Sequence, residues 1–138
     1  METNRLYRIA EENGIVIDRI SLPMNLSASV MCENKMYVAI DKDIRGAEER
    51  VCLAHELGHC QTASFYNIFA PLDVRGKHER RADRWAIKRL IPPTKYKDAI
   101  RNGYNDIYSL AEYFDVTADF MQKAVDYYRD NDYNGYRM

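Results

Sequence analysis

The sequence predicts an α+β fold. Three observations carry that reading. Short stretches of β-type composition cluster between residues 15 and 40. Apolar residues at helical spacing precede that cluster and recur throughout the rest of the chain. The 138 residues, with 46% hydrophobic and 30% charged, have the balance of an ordinary globular domain with one core.

The elements follow in order. Residues 4–13 place Leu6, Ile9 and Ala10 on one helical face, and Gly14 is suited to stop that helix. Ile15-Val16-Ile17 is a short β run, and Pro23 marks residues 21–25 as a connection. Ser27–Cys32 and Met36–Ile40 read as two strands, with Glu33-Asn34-Lys35 as the turn between them. A helix is expected from Ala47 to Thr62. Residues 63–76 hold Phe65, Tyr66, Ile68 and Phe69 but also Pro71 and Gly76, and read as a loop over a cleft. A second long helix is expected over Lys77–Leu90, with Ala82, Trp85, Ala86 and Leu90 inward and Pro92-Pro93 ending it. Three shorter helices are expected over Thr94–Asn102, Asn105–Phe114 and Ala118–Arg129. The last two carry the spacing of a helix–turn–helix. The domain reading is therefore a core at 1–93, a helical subdomain packed on it at 94–130, and a flexible tail at 131–138.

Composition narrows the function classes. No apolar run is long enough to span a bilayer. Met1-Glu2-Thr3-Asn4-Arg5 lacks the basic-then-apolar pattern of a secretory signal. Cys32, Cys52 and Cys60 are odd in number and form no Cys-x-x-Cys pair, so reduced thiols and a cytoplasmic location are expected. The net charge of −1 conceals an uneven distribution. Residues 75–101 hold ten Lys and Arg against three acids, while residues 104–138 hold three against seven. The second helix of the helix–turn–helix pattern offers only Lys123 and Arg129 among Asp119, Asp126 and Asp130. DNA recognition needs cations there to meet phosphates, so a structural or protein-docking role is preferred to direct nucleic-acid binding.

The chemistry concentrates in His55-Glu56-Leu57-Gly58-His59. On a helix, residues four apart share a face, so His55 and His59 can grip one metal ion, zinc best. Glu56 lies about 100° round the helix, within reach of a water at that metal, where it can serve as general base. Val51, Ala54, Leu57 and Gly58 supply a small apolar face that would bury the helix. A third ligand is expected at Glu79, twenty residues beyond His59. Asp83, one turn further on the same face, can accept the free ring N–H of a liganding histidine. His78 is placed at the rim, with a ligand role as the alternative. Cys60 is a packing residue that follows a ligand directly.

Leu53-Ala54-His55-Glu56-Leu57-Gly58-His59, then Glu79-Arg80-Arg81-Ala82-Asp83-Arg84-Trp85-Ala86, then Leu90-Ile91-Pro92 together resemble the ImmA/IrrE family of metallopeptidases. The resemblance is tightest over residues 37–92. It implies a zincin-like core: a small twisted sheet with one helix for the His-Glu-x-x-His motif and one for the third ligand. It implies His55, His59 and Glu79 as zinc ligands and Glu56 as catalytic acid/base. It implies an edge strand beside the cleft that pairs with extended substrate. Met36–Asp41 is expected to be that strand, making Tyr37, Val38 and Ala39 substrate contacts, with Tyr66 and His78 opposite. Tyr37, Tyr66 and His78 are the candidate oxyanion donors. The implied substrate is a helix–turn–helix repressor of a prophage or mobile element. Two alternatives stay open: a metal-containing anti-repressor that binds without cutting, and a DNA-binding regulator.

Overall fold

The computed structural model of the chain describes residues 2–66 and 70–131. Among these residues it is an α+β protein with six α-helices and one three-stranded sheet. It divides into two compact units, Met1–Ala86 and Ile87–Met138. No helix of the described residues is long and apolar enough to cross a membrane.

In the first unit, α1 (Glu2–Glu12) buries Leu6 and Ala10, one turn apart on one face. Gly14 takes φ +68°, and the Ile15 amide returns to the Ala10 carbonyl at 2.8 Å. A residue with a Cβ would be strained there. Strand β1 (Val16–Ile20) follows, then a 3-10 turn at Pro23–Asn25. Strands β2 (Ser27–Cys32) and β3 (Lys35–Asp41) form a hairpin. Glu33 and Asn34 alone make its turn, with φ of 51° and 62°. Two successive left-handed residues match a two-residue type I′ turn, whose twist suits the strands. Lys35, expected in the turn, therefore pairs with Cys32 in the sheet.

The strand order is β1-β3-β2, with β1 parallel and β2 antiparallel to β3. The central strand is thus β3, which corrects the expectation that Met36–Asp41 is an edge. Its backbone is bonded on both sides, so it has no free edge to offer a substrate. Val38 and Ile40 point into the core at 1% and 0% exposure. Helix α2 (Gly46–Gln61) lies against β2, β3 and α1. Glu48 and Glu49 sit in its first turn, where carboxylates complement the helix dipole. Arg19 of β1 anchors that turn through Glu49 at 2.7 Å.

Helix α3 runs Leu72–Leu90, five residues longer at its start than expected. The Arg75 amide bonds the Pro71 carbonyl at 3.0 Å, so Pro71 precedes the first turn, and Gly76 is an interior residue. Glycine there costs the helix only about 1 kcal/mol, too little to stop it. The expected loop shrinks accordingly; Ile68 and Phe69 lie outside the described residues.

The second unit holds the end of α3, then α4 (Pro93–Arg101), α5 (Ile107–Phe114) and α6 (Ala118–Asp130). Pro93 opens α4 at a position where the missing N–H is no loss. Asp106 and Thr117 cap α5 and α6 through the amides of Ser109 and Phe120. Leu110, Val116, Phe120, Met121 and Val125 are all buried, as their helical spacing predicts. Tyr96 and Tyr128 stack at 5.1 Å, and the Tyr128 hydroxyl donates to the Ile91 carbonyl. The tail from 132 onward lies outside the described residues.

Candidate metal centre

Helical spacing does what the sequence reading requires of it. His55 and His59, one turn apart on α2, have ring centroids 4.8 Å apart. Glu79 and Asp83, one turn apart on α3, face them. The Nε2 atoms of His55 and His59 lie 2.8 and 3.1 Å from the two oxygens of Glu79. One ligand atom from each of the three residues lies within 4.8 Å of the others.

The outer ring nitrogens define which lone pairs face inward. His59 Nδ1 is 2.8 Å from the Ser64 carbonyl oxygen, which can only accept, so Nδ1 carries the proton. His55 Nδ1 likewise donates to Asp83 Oδ1 at 2.8 Å. In the neutral tautomers both Nε2 atoms then present bare lone pairs to a carboxylate. Three electron-pair donors pointing at one another repel unless a cation lies among them. The residues present therefore fit a metal ion.

Electrostatics agree with that reading. Burial disfavours the charged form of His55, but the Asp83 hydrogen bond and the charges of Glu56, Asp83 and Glu79 outweigh it and raise its pKa. The site thus holds an excess of negative charge that attracts any cation. The hydroxyl of Tyr66 donates to Glu79 at 2.8 Å, and that bond, then burial, raises its pKa. Burial first, and the charge of Glu56 second, push the Cys60 thiol up to about 12. It stays neutral, as a packing residue does.

The approach of the two helices depends on Gly58. A Cβ at that position would lie 2.5 Å from the Ala82 carbonyl oxygen and 3.0 Å from the Ala82 Cα. Only glycine lets α2 and α3 come close enough for two imidazoles to meet Glu79.

A cavity of about 510 Å3 opens on this centre. His55, Glu56, His59, Glu79 and Tyr66 line it, with Leu26 to Ser29 of the β2 side forming one wall. Glu56 is only 6% exposed and accepts a hydrogen bond from Ser27 Oγ at 2.8 Å. A buried carboxylate on a cavity wall, beside a cluster that could hold a metal ion, is placed to exchange protons with what enters.

Of the expected substrate contacts, Tyr66 is on the cavity wall. His78 stacks on it at 6.1 Å, and its Nδ1 is buried with no hydrogen-bond partner among the described residues. Tyr37, Val38 and Ala39 are not on the wall, because β3 is central and β2 stands between. Two residues went unread in the sequence. Ser64 acts first through its backbone carbonyl, which every residue has and no side-chain signal marks, with its Oγ at a longer 3.3 Å from the same nitrogen. Ser27 was read only as the start of a strand.

The sequence profile of the IrrE N-terminal-like domain, peptidase family M78, matches residues 10–126. No curated protein matches the chain.

Proposed function

The chain belongs to peptidase family M78, with its IrrE N-terminal-like domain, and from that premise we propose that it is a zinc-dependent endopeptidase acting on a repressor-type regulatory protein. One observation supports the hydrolytic reading above others: the inward lone pairs of His55, His59 and Glu79 share a cavity with the buried carboxylate of Glu56. Two nitrogens and a carboxylate are the donor set of catalytic zinc, which keeps a further position open. When bound there, the ion supplies Lewis acidity, polarising a carbonyl and acidifying a water.

The chain's own residues supply the rest. Glu56 takes a proton from the water as its oxygen bonds the scissile carbonyl carbon. It then delivers that proton to the amide nitrogen as the C–N bond breaks. Tyr66 is the one of the three candidate donors on the cavity wall, and its hydroxyl serves the developing oxyanion. The substrate lies along β2, the sheet edge beside the cavity. In the hairpin register, Leu26, Ala28, Val30 and Cys32 bond inward to β3, as the Asp41 amide to the Leu26 carbonyl illustrates. The peptide groups of Ser27, Ser29 and Met31 then face outward, free to pair with an extended chain.

Support for a prophage or mobile-element repressor as substrate is the family resemblance. Against direct DNA binding stands the charge of α6, whose Lys123 and Arg129 lie among Asp119, Asp126 and Asp130. The test has two parts. Metal content by mass spectrometry should find one zinc per chain. The zinc-loaded protein should cleave a helix–turn–helix repressor, and Glu56→Gln should keep zinc while losing 10²-fold or more in kcat. If Glu56→Gln still relieves repression fully, the protein acts by binding alone.

A further inference from the structure

We propose that Ser27 is a positioning residue for Glu56, tying the acid/base carboxylate to the strand that receives the substrate. This deepens the peptidase reading and rests on it. Glu56 is a buried carboxylate on a helix, and its χ angles leave it several rotamers. Ser27 Oγ donates to its Oε2 at 2.8 Å, from a different element. Ser27 is the first residue of β2 and pairs with Ile40 at a position whose peptide groups point away from β3. One residue thus offers its hydroxyl to the carboxylate and its backbone N–H and C=O to the free sheet edge. A substrate strand bonded to that edge fixes Ser27 at both ends. The carboxylate is then oriented toward the scissile bond of the strand that holds Ser27 in place.

A chemical detail favours serine at this place. A hydroxyl donates to Glu56 while it is a carboxylate. After the carboxylate takes up the water's proton, the same hydroxyl can rotate and accept. A main-chain amide could only donate and would hold the proton-bearing form less well. Among the described residues no hydrogen bond or ion pair joins Ser27 to His55, His59 or Glu79, so its removal leaves that cluster whole.

The test uses the full chain loaded with zinc, an internally quenched peptide pool, and a peptidyl hydroxamate, whose binding depends on a properly placed carboxylate. Ser27→Ala should lower kcat about tenfold with KM and zinc content unchanged, and weaken the hydroxamate about tenfold. Ser27→Thr, which keeps the hydroxyl, should recover most of both. Equal turnover and hydroxamate affinity in wild type and Ser27→Ala would overturn the assignment, as would a rise in KM alone. Loss of zinc or of folding in Ser27→Ala that Ser27→Thr repairs without restoring kcat would mark a structural serine and overturn it too. A wild-type protein that cleaves neither the peptide pool nor a helix–turn–helix repressor would remove the peptidase reading itself, an outcome separate from these.

Discussion

Gly58→Ala is the sharpest test of how the metal centre is built. The added Cβ would sit 2.5 Å from the Ala82 carbonyl oxygen, where ordinary contact begins at 3.4 Å. Relief therefore requires α2 and α3 to separate by about 0.9 Å, the difference between those two distances. The obstruction is main chain, so no rotamer change relieves it. Overpacking of this kind costs about 1–3 kcal/mol, and at the size of this chain 2 kcal/mol lowers Tm by about 6 °C. The larger consequence falls on the ligands. His55 and His59 ride on one helix and Glu79 on the other, whereas metal–ligand distances tolerate only ~0.2 Å. Zinc affinity, measured by competition with a chromophoric chelator, is expected to fall at least 100-fold. Gly76→Ala in α3 is the control: among the described residues its Cβ meets only the flexible end of Arg80, at 3.1 Å. That variant should keep full affinity and gain about 0.5–1 kcal/mol from helix propensity. A Gly58→Ala protein with normal zinc affinity would refute the coupling of helix spacing to the site, whatever its Tm.

Other expectations follow from the same geometry. Asp83→Ala removes the acceptor that holds His55 in its liganding tautomer, and should weaken zinc 10- to 100-fold by the same competition assay; an unchanged affinity would show the bond to be idle. In the chelated protein, the raised pKa of His55 means that its charged form stabilises the fold. That contribution is complete below the unfolded-state value of about 6.5 and is lost as pH rises through the folded-state value. Melting of the metal-free protein should accordingly worsen on going from pH 6 to pH 8, while zinc reverses the trend, since it needs the neutral ring; a metal-free Tm that climbs over this range contradicts the assignment. Tyr66→Phe should reduce kcat by about 10²-fold with zinc retained, and a near-normal kcat would remove the hydroxyl from the oxyanion site.

Local periodicity makes the clustering of His55, His59, Glu79 and Asp83 legible in the sequence. His55/His59 and Glu79/Asp83 each repeat at one helical turn, and a helix converts that interval directly into a shared face. The two strands of the hairpin were legible for the same reason. What was misread depends on pairing between distant segments. A short β-type run such as Met36–Ile40 is compatible with an edge or a centre, and strand order is decided by partners elsewhere in the chain. A hint was present: Met36-Tyr37-Val38-Ala39-Ile40 is apolar throughout, as a strand flanked on both sides often is, while Ser27-Ala28-Ser29 is short and polar, as edges are. The start of α3 was hidden by Gly76, because a weak breaker was given the authority of a stop signal. Ser64 was beyond reach, since a carbonyl has no letter of its own.

Ala63 turns left-handed at φ +52° directly after α2, at a cost of about 1–2 kcal/mol for a residue with a Cβ. That reversal brings the Ser64 amide back to the His59 carbonyl at 3.0 Å and presents the Ser64 carbonyl to the His59 ring. The knot closes within two residues of the helix end. Anyone grafting a different loop onto this scaffold has a natural splice point after Tyr66, which keeps both the clasp and the hydroxyl on Glu79. A cut made three residues earlier would carry away the clasp on the imidazole along with the loop.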